Sequence, residues 1–258
     1  MALRDIGADF EHYRVCEYDK YAIASYNAIH KTEFEPSDIT KLKGEDLGIV
    51  DTEKYTYIMT YSFPCQDLSL SGKQKGMSKG TGTRSGLLWE VERLLNETEN
   101  LPQILLMENV PQVHSKKNKE DFDLWLNFLR NKGYQNFWKD LNAKHYGIPQ
   151  NRNRCFCVSI LSDEFINFSF PEPQELKLVM KDLLEKEVDE KYYINSLKAK
   201  QLIEKLIVED KLPSVETGLL SNYGTKLEKK TDVATCLMAR DYKGFGKQTI
   251  NGVIECQK

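Results

Sequence analysis

Along residues 1–161, short apolar runs rich in β-branched and aromatic side chains alternate with segments whose apolar positions recur every three or four residues. Runs at 13–17, 57–62, 104–108 and 156–161 predict strands, and the spacing over 21–29, 87–95 and 122–129 predicts helices. Alternation of this kind predicts an α/β fold, a mostly parallel sheet with helices on both faces. Residues 1–6 read as the second half of an amphipathic helix with no strand ahead of it. From about Pro171 the pattern changes to Pro-flanked, charge-rich segments without a repeating strand–helix unit, with one helix expected near 198–209. The expected division is therefore a domain over 1–171 and a smaller region over 172–258.

Composition narrows the class without changing this picture. A chain of 258 residues, 40% hydrophobic and 29% charged, buries enough surface to need no disulfide or metal staple. The net charge of −3 is not that of a generally basic nucleic-acid binder, although lysines and arginines cluster at 73–79, 116–119 and 226–230. Each cluster alone reads more simply as a solvated face. Cysteines at 16, 65, 155, 157, 236 and 256 form no CxxC pair, and the four histidines show no metal-ligand spacing, so no metal is expected. Free thiols fit a reducing compartment, and no apolar run has the length of a membrane helix. The expected location is the cytoplasm, with no membrane partner.

Candidate chemistry gathers where strands end. Phe63-Pro64-Cys65-Gln66 follows an apolar run, and the crevice of an open α/β sheet lies at the carboxyl ends of its strands. Cys65 there is placed as a nucleophile, and the polar, glycine-containing stretch after it, with Ser69 and Ser71, reads as a loop over a site. Glu108-Asn109-Val110 closes another short strand. A carboxyl partly shielded at the same crevice mouth can donate a proton near neutrality. Gln150-Asn151-Arg152-Asn153-Arg154 puts two arginines at i and i+2 on one side of an extended chain, suited to grip a carbonyl or phosphate with paired hydrogen bonds. Glu17 and Tyr18, at the end of the first expected strand, suit a ribose diol and the face of a purine.

In order, these segments resemble the DNA cytosine-5-methyltransferase family of prokaryotic and phage type. The resemblance rests on Val15-Cys16-Glu17-Tyr18-Asp19, Ser37-Asp38-Ile39-Thr40, Phe63-Pro64-Cys65-Gln66-Asp67-Leu68-Ser69, Thr83-Arg84-Ser85-Gly86-Leu87, Met107-Glu108-Asn109-Val110 and Gln150-Asn151-Arg152-Asn153-Arg154. It covers about 1–161 closely, with a family-style variable region beyond. It implies a Rossmann-like S-adenosylmethionine-dependent methyltransferase sheet, a smaller target-recognition region at 172–258 and the start of a closing segment. S-adenosyl-L-methionine is the implied cofactor, with Glu17 on its ribose, Tyr18, Ile39 and Pro64 about the adenine, and Asp38 on the adenine amino group. Cys65 would add to C6 of a cytosine turned out of duplex DNA. Glu108 would donate to N3, and Arg152 and Arg154 would hold the base. Gln66, Ser69, Ser71, Asn109 and Gln150 would contact the substrate. Polar and basic residues at 222–226 and 240–244 suit phosphates and base edges.

Against the family pattern, a first strand with a Phe-x-Gly-x-Gly turn is expected ahead of Met1, and an Arg-rich helix and closing segment after Lys258. The chain is thus read as truncated at both ends. Double-stranded DNA is the implied partner, and a cognate restriction endonuclease a candidate one. Three other readings compete. One is a catalytically silent family member that binds DNA or a protein; another is a tRNA cytosine-5-methyltransferase. The third, a cysteine hydrolase, lacks a histidine in a motif that could activate Cys65, since His114 and His145 read as surface residues.

Overall fold

The structure, a computed structural model, describes residues 2–65, 68, 77–80, 84–193, 197–209, 218–223, 226–229, 233–237 and 250–254. The chain packs as two compact units, one of residues 1–138 and 155–168 and the other of 139–154 and 169–258. This grouping by compactness differs from a functional division at residue 171, which remains an expectation about roles.

The first unit opens with a single helical turn, α1 (Ala2–Asp5), and then α2 (Lys20–His30). Asp19 caps α2 by accepting the Tyr21 amide at 2.8 Å, and Lys31, at φ 56°, ends it in the left-handed region. Strand β1 (Ile58–Tyr61) is followed along the chain by α3 (Leu88–Glu97). Then come β2 (Ile104–Asn109), α4 (Lys119–Asn131), β3 (Tyr134–Asn142) and β4 (Asn153–Leu161). The four strands form one sheet in the order β1-β2-β4-β3. β1 and β2 run parallel, with Ile58 beside Ile104 and Tyr61 beside Met107. β2 and β4 run antiparallel, with Met107 beside Cys157.

Two expectations are corrected here. Residues 13–17 form no strand. They are extended, but their described backbone tie is one bond, the Ser37 amide to the Glu17 carbonyl at 2.8 Å, and a strand needs a ladder. Moreover, β1 and β2 pair parallel while β2 and β4 pair antiparallel, so the sheet is mixed rather than mostly parallel. Apolar content reports that a strand is buried and carries no record of its direction.

Alternate side chains decide how the sheet is covered. In β2, Leu105, Met107 and Asn109 are buried while Ile104, Leu106 and Glu108 are half-buried. The buried set meets Leu88, Val91 and Leu95 of α3 and Phe122, Trp125 and Leu129 of α4 in one core. Those helical positions are the spacing that puts apolar residues on a single stripe. Trp125 is fully buried, donates its indole N–H to the Tyr61 hydroxyl at 3.1 Å and stacks on Phe128. β3, which no sequence pattern predicted, sits at the end of the strand order, where polar residues are tolerated. Its Tyr134 is buried and donates to the Pro102 carbonyl at 2.6 Å.

Burial also sets an alkaline limit to stability. The Cys157 thiol, buried on β4, is pushed up to about 11 from an ordinary 9.0, chiefly by loss of water. A raised value means that the unfolded chain releases the proton first. Stability is therefore full below pH 9.0 and falls as pH rises through about 11, by about 2–3 kcal/mol from this group. Buried Tyr134 is raised from 10.0 for the same reason and adds its loss above that pH. Denaturant unfolding from pH 8 upward should show the decline starting near 9 in the native sequence and near 10 in Cys157→Ala.

In the second unit, α5 (Leu197–Val208) precedes a three-stranded antiparallel sheet of β5 (Gly218–Tyr223), β6 (Lys226–Lys229) and β7 (Ile250–Ile254), in the order β6-β5-β7. No helix among the described residues is long and apolar enough to cross a membrane.

Candidate active site

β1 and β2, being parallel neighbours, release their carboxyl ends to the same edge of the sheet. Phe63, Pro64 and Cys65 follow β1, and Glu108 and Asn109 complete β2. The two ends are tied together by Asn109, which is 3% exposed. Its amide nitrogen donates to the Phe63 carbonyl at 3.0 Å, and its amide oxygen accepts the Val110 N–H at 2.8 Å. Phe63 is buried beneath, and Ser85 donates to the Pro64 carbonyl at 2.5 Å. The Cys65 carbonyl accepts the amide of buried Leu68 at 3.0 Å. The half-buried Cys65 thus sits on a turn held at the carbonyls of Phe63, Pro64 and Cys65 itself, and Asn109 acts as the bracket between the two loops. The sequence motifs contained both Asn109 and Ser85, but these tying contacts, 46 and 21 residues apart in sequence, were not readable from them.

A pocket of about 380 Å³ is lined by Tyr18, Pro36, Ser37, Asp38, Lys41 and Leu42. Of the five cofactor candidates it takes in Tyr18 and Asp38. Tyr18 is 78% exposed. Asp38 caps the following 3₁₀ turn, accepting the Thr40 amide at 3.0 Å and its hydroxyl at 2.8 Å, and these bonds lower its carboxyl below the ordinary 3.8. Glu17 turns one carboxylate oxygen back to the Asp19 amide at 2.8 Å. Ile39 packs against the hydrophobic core rather than lining the pocket, and Pro64 belongs to the β1 loop. Pro36, Lys41 and Leu42 were not singled out from the sequence. Their signal was position alone, since they flank the Ser37-Asp38-Ile39-Thr40 motif.

In the second unit, residues 149–154 run beside 233–237. The Asn151 amide donates to the Ala234 carbonyl at 2.7 Å, and the Ala234 amide to the Pro149 carbonyl at 2.9 Å. Gln150 forms a parallel bridge with Ala234. Arg152 and Arg154 turn to one side, as the i, i+2 spacing predicts, and both reach the Cys236 sulfur, at 3.2 and 3.9 Å. Asn222 and Tyr223 close β5, and Lys226 opens β6 beside Tyr223. Gln66, Ser69, Ser71, Thr83, residues 224–225 and residues 240–244 lie outside the described residues.

The mixed sheet with helices packed against it is a Rossmann-like fold, the class of the methyltransferase structures it resembles. The structure of the S. pombe Dnmt2 methyltransferase superposes with a TM-score of 0.58 at 21% identity, over 79% of this chain and 61% of that one, which shows a shared fold. The Entamoeba histolytica methyltransferase EhMeth gives the same TM-score, 0.58, over 74% and 56%. Residues 1–238 match the C-5 cytosine-specific DNA methylases, and the chain belongs to that family. It is 44% identical over 167 residues to the type II methyltransferase M2.ScrFI of Lactococcus lactis subsp. cremoris, covering 64% of this chain and 45% of that protein. It is 46% identical over 176 residues to the orphan methyltransferase M.SssI of Spiroplasma monobiae, covering 67% and 43%. The chain spans about half the length of the curated relatives it matches.

Proposed function

We propose that this chain carries the cysteine and cofactor side of a DNA cytosine-5 methyl transfer, with 1–171 as its catalytic domain and 172–258 as its target-recognition region. The observation that carries this reading is the Asn109 bracket, which holds the Cys65 loop and the Glu108 strand end at one edge of parallel neighbours. A thiolate and a carboxyl at one crevice mouth meet the demands of addition to an unreactive pyrimidine. Protonation at N3 by Glu108 draws electrons from C6, and the Cys65 thiolate forms a bond there as the C5–C6 double bond opens toward C5. The pair of electrons at C5 takes the methyl group. Loss of the C5 proton then re-forms the double bond and expels the Cys65 thiolate. Arg152 and Arg154 supply guanidinium donors for the base carbonyl or the adjoining phosphate.

The pocket suits the nucleoside of S-adenosylmethionine. Tyr18 supplies an aromatic face, Pro36 and Leu42 apolar walls, and Asp38 a carboxylate that accepts an amino group. When bound, that cofactor supplies a methyl group on a sulfonium leaving group.

Duplex DNA carrying 5-fluorocytosine tests the addition step, because fluorine at C5 cannot leave as a proton and the adduct persists. The expected result is a denaturant-resistant protein–DNA species that forms with the native chain and S-adenosylmethionine and is absent with Cys65→Ala or without cofactor. An adduct formed by Cys65→Ala would sink the proposal. Duplex DNA bound with neither adduct nor methyl transfer would assign a binding role instead, and methylation of tRNA in place of DNA would reassign the substrate.

A further inference from the structure

The wall of the proposed cofactor pocket is short and weakly built by itself. Asp38, Lys41 and Leu42 sit on a 3₁₀ turn (Ile39–Lys41), followed by a second one (Gly44–Leu47). Short 3₁₀ turns have poor hydrogen-bond geometry and do not hold their shape without outside partners. The partners come from the far end of α3. Arg93 donates through Nη2 to the Ile39 carbonyl at 3.0 Å. Its other donors are committed to its own helix, Nε to Glu90 at 2.8 Å and Nη1 to both oxygens of Glu97 at 3.0 and 2.9 Å. Glu97 then accepts the Gly44 amide at 3.0 Å. A Cβ at position 44 would lie 2.3 Å from the Thr98 nitrogen, so the backbone there rests directly on the helix end.

The fork of a guanidinium is planar and its three directions are fixed, so an arginine bound on two sides by its own helix aims its third side accurately. Here the third side meets the carbonyl of the residue after Asp38. α3 is in turn fixed by Leu88, Val91 and Leu95, all buried in the core. The pocket wall thus takes its position from the helix rather than from its own sequence.

We propose that Arg93 and Glu97 are positioning residues for the cofactor, gripping the pocket wall at both ends through the Ile39 carbonyl and the Gly44 amide. This rests on the reading of that pocket as the S-adenosylmethionine site. Neither side chain lines the pocket, so their effect is transmitted through the turn they hold.

Calorimetry of the whole chain with S-adenosylhomocysteine, paired with amide hydrogen exchange, tests this. Arg93→Gln is expected to weaken binding about tenfold, the loss of one charge-assisted bond. It should also speed exchange across residues 38–47 while α3 stays protected. Leu129→Ala, a core truncation on α4 away from the turn, should lower the melting temperature at least as much and leave affinity within about twofold. Tyr18→Ala tests the pocket reading separately, because Tyr18 lines the pocket and takes no part in holding the turn. Should Arg93→Gln fail to fold, Glu97→Gln loosens the Gly44 end with little change of volume and is expected to act in the same direction. Wild-type affinity in Arg93→Gln beside weakened Tyr18→Ala would overturn the inference. Equal weakening by Leu129→Ala would also overturn it, by reducing the effect to stability. If Tyr18→Ala binds as tightly as the native chain, the pocket reading falls, and the cofactor role of Arg93 and Glu97 falls with it.

Discussion

Cys65→Ala is expected to abolish methyl transfer to duplex DNA, lowering the rate by about 10⁴-fold or more, roughly 5 kcal/mol of barrier. Without a thiolate at C6 there is no way to gather electron density at C5, and the bare ring is a poor nucleophile toward a methyl group. Cofactor and DNA binding should survive, since Cys65 is half-buried on a loop and its replacement by a smaller apolar group leaves the backbone bond from Leu68 to the Cys65 carbonyl in place. The assay is transfer of labelled methyl groups from S-adenosylmethionine to DNA, run beside binding of the same duplex. Cys65→Ser is a useful companion. Its hydroxyl fits the space, but an alcohol is far less acidic than a thiol and should fall close to the alanine variant. Transfer at a tenth of the native rate by either variant would contradict a covalent mechanism.

Trp125→Ala is expected to bring the largest loss of stability, about 3–5 kcal/mol, or on the order of 10 °C in melting temperature. The side chain is fully buried between α4 and the sheet, touching Tyr61, Trp89 and Phe128. Its removal leaves a cavity too large for neighbours to fill and strips the buried Tyr61 hydroxyl of the indole donor. Tyr61 ends the strand that leads to Cys65, so residual activity should fall with the folded fraction and recover at lower temperature. Thermal unfolding with two independent probes measures it. A loss below 1 kcal/mol would mean that the helix–sheet core is not packed as described.

Both expectations draw on what the sequence made legible. Cys65 and Glu108 were visible because each ends a short apolar strand, and the motif types at those ends are unusual in a core. The helices α3 and α4 were legible from apolar spacing, since one stripe of each is buried and the opposite side is polar. β3 was not, because Gln135 and Asn136 spend their polarity on the Ser162 and Leu126 carbonyls, bonds that no local pattern announces. The segment 13–17 misled in the opposite sense. Its composition is that of a strand, but strand formation depends on a neighbour supplying a ladder. The reversed direction of β4 was hidden for a related reason, because a strand buried in either sense looks alike. Within the candidate site, Arg93 was invisible as a partner of Ile39, 54 residues away in sequence. Ile39 itself, given a place on the adenine from its motif, is partly buried and packs against the core.

The alternation along β2 bears on how this part of the molecule can change. Leu105, Met107 and Asn109 share the face that α3 and α4 cover, and Glu108 is on the other. The order of the dipeptide is therefore a choice of side. Written Asn-Glu, the same two residues would aim a carboxylate into the apolar interior and leave the Phe63 carbonyl without its amide. A single inserted or deleted residue in β2 would do the same to every side chain after it. Loops at this edge can lengthen freely, but the strand feeding Glu108 can drift only in steps of two.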